Sequence, residues 1–300
     1  MKQKHLIIIG GATAAGKSQV AVDLAQHFKC EIISADSRQV YTELNIGVNK
    51  PSSEQLKAVP HHLIGHVSIR EDYNAGLYEC DAILTLNQLY QQHQMAILVG
   101  GTGLYLQAVM QGLDTFPETD PAVFNQLKQI HLEAGINALQ DELLEKDPKY
   151  YEQVDRQNPH RLMRALAVIR SSGLKYSDLL TQKSKERSFR SHPILLHEER
   201  DLLYEKINLR VDEMIRQGLE QEALDLYPLR YLNSLQTVGY REWFSHFEGQ
   251  LTKEEAIEKI KQHTRNYAKR QTTWFRPLHW PQYHAGETSQ LIQYLKTAIG

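Results

Sequence analysis

The sequence predicts an α/β protein with a parallel sheet and an all-helical insertion. Three observations support this fold class. Short apolar runs at residues 6–9, 31–35 and 95–99 each stop at a glycine or an aspartate, as strands buried on both faces of a parallel sheet do. A helical pattern separates the first of these runs from the second, which is typical of right-handed strand–helix–strand units. From residue 120 to about 187, in contrast, no convincing strand pattern occurs.

The first elements of the chain predict a strand, a loop and a helix. Residues 6–9 form the predicted strand, and residues 17–28 carry Val20 and Leu24 at helical spacing. A second strand at residues 31–35 ends at Asp36, and a third at residues 95–99 is followed by two glycines and Thr102. Ligands bind beyond the carboxyl ends of such strands. We therefore expect the loop at residues 11–18, Asp36 and Thr102 to converge in space.

The second half of the chain predicts helices around a return to the sheet. Leu162, Ala165, Leu166 and Ile169 follow the spacing of a buried helical stripe. Residues 193–196 are a short apolar run typical of another strand, and residues 199–300 predict helices that pack back on the core. The expected domains are a core of residues 1–115 and 190–300 and a helical insertion of residues 116–189.

Composition excludes several classes of protein. The 300 residues are 41% hydrophobic and 23% charged, which is ordinary for a globular chain of about two domains. Two cysteines are too few for a disulfide framework and fit a reducing compartment. No apolar run approaches the roughly 20 residues that span a bilayer, and residues 6–9 are too short for a signal peptide. We expect a cytoplasmic monomer with no membrane partner.

The net charge of −2 hides two basic segments. Residues 156–190, which include Lys183, hold nine Lys and Arg against two acids, and residues 261–276 hold five against none. These segments sum to +12, so the rest of the chain sums to −14. A near-neutral chain argues against non-specific nucleic-acid binding, but two basic segments permit a localised polyanion site. Solvated helix faces are the alternative interpretation.

Residues 11–18 fit the pattern G-x-x-x-x-G-K-[ST] between a predicted strand and a predicted helix. In such a loop the glycines let backbone N–H groups point at phosphate oxygens, and the helix that follows adds its positive dipole end. Lys17 would contact the terminal phosphates, and the Ser18 hydroxyl would ligate Mg²⁺. The predicted phosphate- or diphosphate-binding residues are Gly11, Ala12, Thr13, Ala14, Ala15, Gly16, Lys17 and Ser18.

The loop alone does not identify the reaction. An ATPase or GTPase normally places an acid after a later strand to hold Mg²⁺, but residues 95–99 lead into glycines and Thr102. Asp36 does stand at the end of a strand, where a helix cap and a catalytic carboxylate are both open interpretations.

Further segments match one known family in order. They are residues 11–18, 35–41, 45–47, 50–51, 60–63, 99–105, 161–166, 210–214, 236–241 and 267–274. Together they make the sequence resemble the tRNA dimethylallyltransferases. The resemblance implies transfer of a dimethylallyl group from dimethylallyl diphosphate to N6 of the adenine immediately 3′ of the anticodon, tRNA position 37, in tRNAs reading codons that begin with U. It further implies a P-loop, kinase-like core, a requirement for Mg²⁺ without ATP, and an insertion that binds the anticodon stem-loop.

The resemblance also implies roles for individual residues. Asp36 matches the general base, Lys17 and Arg210 match contacts to the diphosphate, and Thr102 matches a position near the reacting centre. The expected tRNA-binding residues are Asp36, Ser37, Arg38, Gln39, Thr102, His160, Arg161, Arg164, Gly239, Tyr240 and Arg241. Ala12 and Ala15 stand where the family usually has Pro and Ser, which removes one hydroxyl from the loop. Since Lys17, Ser18, Asp36, Thr102 and Arg210 are all present, we expect activity to be retained.

Two other functions share part of this pattern. A P-loop small-molecule or nucleoside kinase would have the same loop, but it would not need the basic segment at residues 156–190. A non-catalytic RNA-binding module would not need intact Lys17, Ser18 and Asp36. His61 and His62 suggest a metal site only weakly, because no second His/Cys pair at ligand spacing accompanies them. Trp243, Trp274 and Trp280 are expected to pack in the interior.

Overall fold

The computed structural model describes residues 3–181 and 184–300. Lys183, one of the basic residues counted above, lies outside this part of the chain. The chain forms two compact units: residues up to Gln111 together with Glu186–Gly300, and Gly112–Lys185. The boundaries expected from the sequence fall after residues 115 and 189.

The first unit is built on a six-stranded sheet in the order β3-β2-β4-β1-β5-β6, in which all pairs are parallel. Its strands are β1 (Lys4–Gly11), β2 (Ile32–Ser34), β3 (His61–His62), β4 (Met95–Val99), β5 (Phe189–Leu196) and β6 (Gln282–Tyr283). The predicted α/β fold class and the strands predicted at residues 6–9, 31–35, 95–99 and 193–196 are confirmed. The two-residue strands β3 and β6 were not predicted.

Helices cover the sheet on both faces. Those of the first unit are α1 (Lys17–Phe28), α2 (Ser53–Ala58), α3 (Ala75–Gln92), α4 (Gly103–Gln111), α9 (Arg200–Arg216), α10 (Leu219–Leu226), α11 (Tyr240–Phe247), α12 (Lys253–Phe275) and α13 (Thr288–Ile299). Short 3₁₀ turns lie at Tyr227–Leu229, Asn233–Leu235, Arg276–Leu278 and Ala285–Glu287. No described helix has the length and apolar character needed to cross a membrane.

The central strand β1 explains why both faces must be covered. Leu6 and Ile8 join one buried cluster, while Ile7 and Ile9 join a second cluster on the opposite face. Alternate side chains of a strand point to opposite faces, so four consecutive apolar residues bury both. Each such side chain contributes roughly 1.5–3 kcal/mol when it is fully buried. β1 is therefore held between two helical layers.

The strand register aligns the loops that carry the predicted site. Ile9 of β1 pairs with Val99 of β4, and Val99 also pairs with Ser34 of β2. Because these strands are parallel and end at similar heights, the loops that follow them leave the sheet at the same edge.

The second unit is helical over its described residues. It contains α5 (Pro121–Lys146), α6 (Pro148–Tyr151), α7 (Pro159–Ser172) and α8 (Tyr176–Leu179). α5 is kinked at Gly135, where φ is 76°. The apolar stripe predicted on α7 is confirmed, because Leu162, Ala165 and Leu166 are fully buried in the core of this unit.

Candidate active site

The loop between β1 and α1 has the curled backbone that its sequence predicts. Gly11 and Gly16 have φ values of 149° and 85°, and Ala14 is also left-handed at 65°. A Cβ atom at Gly11 would lie 2.4 Å from the carbonyl oxygen of Leu196, so only glycine fits beside β5. The loop leads directly into the N-terminus of α1, where orphan N–H groups and the helix dipole favour an anion.

Lys17 is a cation held in a desolvated place. Its Nζ donates to the carbonyl oxygen of Ala12 at 2.7 Å. Burial, with a smaller effect from the neighbouring Arg210, lowers the pKa of Lys17 to about 8, although the charge of Asp36 opposes both effects. A buried amine with this pKa gains from any anion that reaches it.

Arg210 of α9 provides a second cation beside the loop. Its Nη1 donates to Thr13 Oγ1 at 3.3 Å. Burial also lowers the pKa of Arg210, although a guanidinium stays charged throughout the physiological range. Two cations in one desolvated place repel each other, and a bound anion between them would offset that repulsion.

Asp36 caps a turn and also lines a cavity. Its Oδ1 accepts from the backbone N–H groups of Arg38 at 2.8 Å and Gln39 at 3.3 Å, so the carboxylate caps the turn after β2. The same side chain lines a cavity that Lys17 and Ser18 also line. Capping fixes the direction of the carboxylate without removing it from that cavity.

The turn after β4 is tied directly to the turn that carries Asp36. A Cβ at Gly100 would lie 2.0 Å from the carbonyl oxygen of Ala35, which makes glycine obligatory at this close approach. The backbone N–H of Ser37 donates to Thr102 Oγ1 at 3.0 Å, and the Thr102 hydroxyl lies 3.3 Å from Ser37 Oγ. The loop at residues 11–18, Asp36 and Thr102 thus lie at the same edge of the sheet, as expected. The turns that follow β2 and β4 are in direct contact there.

Two adjoining cavities occupy this edge of the sheet. The smaller has a volume of about 80 Å³ and is lined by Lys17, Ser18, Asp36 and Arg210. The larger has a volume of about 390 Å³, shares Asp36 and Arg210, and adds three further arginines. Those arginines are Arg38, Arg241 and Arg270. A small compartment with two cationic side chains, Lys17 and Arg210, therefore adjoins a wider one that is lined by four arginines.

Helix α12 contributes two side chains for which the sequence predicted no role. Tyr267 lines both cavities, and burial together with the charge of Asp36 raises its pKa to about 12. Gln271 is 6% exposed and hydrogen-bonds both the loop after β1 and the turn after β4. Their spacing of four residues, which puts them on one helix face, was the available signal.

Two of the residues expected to bind tRNA make internal contacts. Arg38 lines the larger cavity while its Nη1 donates to the carbonyl oxygen of Ser234 at 3.1 Å. Gln39 donates through Nε2 to the carbonyl oxygen of Asn49 at 2.8 Å and accepts from Ser34 Oγ at 3.0 Å. Gln39 thus holds the wall of the cavities in place.

The segment Gly239–Arg241 divides between surface and core. Gly239 and Arg241 line the larger cavity, and the Arg241 side chain is exposed. Tyr240, however, is 0% exposed, and its hydroxyl donates to Glu222 Oε1 at 2.7 Å. The Tyr240 side chain is therefore a core residue, which differs from the tRNA contact expected from the sequence. Its aromatic ring belongs to the apolar packing.

The insertion residues expected to bind tRNA are at the surface of the second unit. His160, Arg161 and Arg164 are exposed on α7. The Arg164 guanidinium lies 5.7 Å from the centroid of the Phe116 ring, within cation–π distance.

His61 and His62 make structural contacts. His61 Nδ1 lies 2.8 Å from the carbonyl oxygen of Val59, and His62 Nε2 lies 2.6 Å from Glu31 Oε2. Within residues 3–181 and 184–300, no three His, Cys, Asp or Glu side chains are grouped to hold a metal ion. Trp243 is fully buried, and Trp274 and Trp280 pack against the same apolar cluster, as expected.

Comparisons with known proteins show the family of this chain. Residues 39–277 match the family described as IPP transferase. The tRNA dimethylallyltransferase of Christiangramia forsetii is 45% identical over 298 residues, covering 98% of each chain. That of Flavobacterium johnsoniae is 43% identical over 301 residues, covering 97% of each.

Solved structures give the same result. The full-length tRNA isopentenylpyrophosphate transferase of Bacillus halodurans superimposes with a TM-score of 0.73 at 32% identity, covering 99% of this chain and 97% of that one. A eukaryotic dimethylallyltransferase acting on tRNA gives a TM-score of 0.78 at 27% identity, covering 91% of this chain and 70% of that one. These neighbours confirm the P-loop-type α/β core. This chain is an enzyme of the IPP transferase family, together with the tRNA dimethylallyltransferases.

Proposed function

We propose that this enzyme transfers a dimethylallyl group from dimethylallyl diphosphate to N6 of the adenine directly 3′ of the anticodon, in tRNAs reading codons that begin with U. One observation carries the proposal. Lys17, Arg210 and Asp36 line a single small cavity, and that cavity adjoins a wider one lined by arginines. The first has the charge that a diphosphate needs, and the second has the size and charge that an extruded nucleotide needs.

The cationic residues would act on the leaving group. As the allylic C–O bond breaks, negative charge accumulates on the departing diphosphate. Lys17 and Arg210 line the small cavity, and α1 begins at Lys17, so these cations and the N–H groups at the start of α1 would stabilise that charge. Because they are desolvated, their attraction for it is stronger than it would be in water.

Asp36 would act on the nucleophile. An exocyclic amine is a poor nucleophile because its lone pair is delocalised into the purine ring. As the new C–N bond forms, the amine must lose a proton, and the Asp36 carboxylate is the acceptor we assign to it. The backbone N–H groups of Arg38 and Gln39 fix the direction of this carboxylate. Thr102, hydrogen-bonded to Ser37, would hold a group near the reacting atoms.

Mg²⁺ fits the donor set of this cavity. The Ser18 hydroxyl lines it, and oxygen is the ligand that Mg²⁺ prefers. Since the described residues hold no cluster of three potential metal ligands, diphosphate oxygens and water would complete the coordination. When bound, the ion would neutralise charge on the diphosphate.

The tRNA would be positioned by its backbone. Arg38, Arg241 and Arg270 line the wider cavity, and His160, Arg161 and Arg164 offer an exposed basic surface on the insertion. Contacts to phosphates position an RNA, and a flipped base in a single-stranded loop is inexpensive to unstack.

A direct assay tests the proposal. The purified protein would be incubated with Mg²⁺, dimethylallyl diphosphate and an anticodon stem-loop that carries adenine 3′ of the anticodon, and the digested nucleosides would be analysed by mass spectrometry. We expect one adenosine to gain a dimethylallyl group, and no turnover of ATP. Absence of the modified nucleoside, or conversion of ATP to ADP with phosphorylation of an acceptor, would refute it.

Replacing the proposed base gives a sharper test. Asp36→Asn keeps an oxygen that can accept from the Arg38 N–H, so the turn should survive while the proton acceptor is lost. We expect kcat to fall by about 10²- to 10⁴-fold with tRNA affinity within about twofold of wild type. Asp72→Asn, at an exposed acid of the same unit, is the matched control. A parallel loss of tRNA binding would contradict the assignment.

A further inference from the structure

We infer that Gln271 is a positioning residue, which fixes the phosphate-binding loop relative to the turn that carries Thr102. Gln271 Oε1 accepts from the backbone N–H of Thr13 at 2.8 Å. Its Nε2 donates to the carbonyl oxygen of Gly101 at 3.0 Å. One side-chain amide thus connects the two loops that flank the small cavity, and it lines that cavity itself.

The two partners determine how the amide is oriented. A backbone N–H can only donate and a carbonyl oxygen can only accept, so Oε1 must face Thr13 and Nε2 must face Gly101. Gln271 is buried among the apolar residues of α12, where Ala268 and Phe275 are its nearest buried neighbours along the helix. A polar group in such a place is unfavourable unless it is hydrogen-bonded, and these two contacts satisfy it.

Gly101 leaves the room that the Gln271 amide occupies. A Cβ atom at Gly101 would lie 2.2 Å from Gln271 Nε2, closer than any real side chain permits. A larger residue at position 101 would therefore push the Gln271 amide away from the turn after β4. The next residue in the chain is Thr102, whose hydroxyl contacts the turn that carries Asp36.

The contact determines a distance that matters for the reaction. Thr13 belongs to the loop that would hold the diphosphate and also accepts from Arg210. Gly101 belongs to the turn that would lie against the accepting adenine. Gln271 therefore sets how far the donor phosphates lie from the acceptor, and displacement of reacting groups by about 1 Å lowers rates by up to about 10²-fold. This inference rests on the proposed function, since the donor is taken to be an allylic diphosphate.

The first test uses Gln271→Met, which keeps the length of the side chain but removes both hydrogen bonds. We expect inorganic diphosphate to bind roughly tenfold more weakly, and kcat for transfer to fall roughly 10- to 100-fold. The affinity for the stem-loop should remain unchanged. Hydrolysis of the donor should increase relative to transfer, because the acceptor is no longer aligned. The matched control is Gln262→Met, at an exposed glutamine of the same helix.

The second test uses Gln271→Glu to separate positioning from folding. A protonated carboxyl group can still donate to Gly101 and accept from Thr13, whereas a carboxylate cannot donate. The kcat of this variant relative to wild type at the same pH should therefore rise as the pH is lowered, with thermal unfolding followed at each pH. Gly101→Ala, which displaces the amide, should reproduce the loss seen in Gln271→Met, and the double variant should be no worse than either single variant.

The outcomes distinguish this inference from the proposed function. If the wild type fails to modify the stem-loop, the proposed function fails, and the binding of inorganic diphosphate still tests Gln271. A wild-type affinity for diphosphate in Gln271→Met would overturn the inference. A loss that is fully explained by a smaller folded fraction would overturn it as well.

Discussion

At the scale of single residues, charge and burial conflict at Lys17. An exposed lysine is protonated well beyond neutral pH, but burial and the nearby Arg210 bring the pKa of Lys17 down to about 8. The amine is therefore close to losing its proton when the cavity holds no anion. An arriving diphosphate favours the charged form and raises the pKa again, so binding of the anion and of a proton are coupled.

This coupling predicts a pH dependence of donor binding. Well below pH 8, Lys17 of the free enzyme is protonated and the affinity for diphosphate is highest. As the pH rises through 8, the free enzyme loses this proton and the affinity for diphosphate falls. Calorimetry of inorganic diphosphate binding at pH 8.5, in two buffers of different ionisation enthalpy, should show proton uptake by wild type and much less by Lys17→Arg, which stays charged. Equal uptake by both proteins would contradict the prediction.

At the scale of elements, one carboxylate holds the segment that walls both cavities. Glu222 of α10 accepts from the backbone N–H groups of Ile46 at 2.8 Å and Gly47 at 3.0 Å, in addition to the Tyr240 hydroxyl. A Cβ at Gly47 would collide with the Tyr240 ring at 2.6 Å. Val48 and Asn49, which follow directly, line both cavities. A contact made by Glu222 of α10 thus helps to position residues that line both cavities.

Glu222→Gln should loosen this segment. An amide N–H₂ cannot accept from a backbone N–H or from the Tyr240 hydroxyl, so at least one buried donor loses its partner. The free energy of unfolding should decrease by about 1–3 kcal/mol, and hydrogen exchange at Ile46 and Gly47 should accelerate. Asp225→Asn, at an exposed acid of α10, serves as the control. Unchanged exchange at both amides would show that Glu222 does not hold the segment.

The elements also show what a sequence can and cannot reveal. The long apolar strands and the loop at residues 11–18 were predictable, because parallel strands and phosphate-binding loops depend on local pattern. The strand at His61–His62 was not, since two residues carry no periodicity. Tyr240, which stands between Gly239 and Arg241, was expected to contact tRNA at the surface. Tertiary packing buries its side chain instead. The only sequence signal for Gln271 was its helical spacing from Tyr267, because only the fold brings Thr13 and Gly101 to it.

At the scale of the whole molecule, the central sheet encloses a histidine pair. His5 of β1 and His192 of β5 are 8% and 6% exposed, with His5 Nδ1 lying 2.9 Å from His192 Nε2. Burial lowers the pKa of both, and the charge of Arg190 lowers each further. From α3, the Tyr90 hydroxyl donates to the carbonyl oxygen of His5. The folded state therefore keeps this pair less protonated than an unfolded chain would.

Acid should accordingly destabilise the first unit. Below the unfolded pKa of about 6.5 the unfolded chain binds protons that the folded pair refuses, so the free energy of unfolding falls as the pH drops. The slope should reach about 1.4 kcal/mol per pH unit for each proton refused. Urea unfolding between pH 7.5 and 5 would measure it. His192→Gln should flatten the slope, whereas His279→Asn, at an exposed site, should not.

The bond between Gln271 and Thr13 has a consequence for synthesis of the protein. It joins positions 258 residues apart, so the ribosome makes one partner almost at the start and the other near the finish. A nascent chain therefore contains the glycine-rich loop at residues 11–18 long before Gln271, which hydrogen-bonds that loop, has been synthesised. Fragments released by premature termination ahead of codon 271 would therefore contain the glycine-rich loop but lack the glutamine that hydrogen-bonds it.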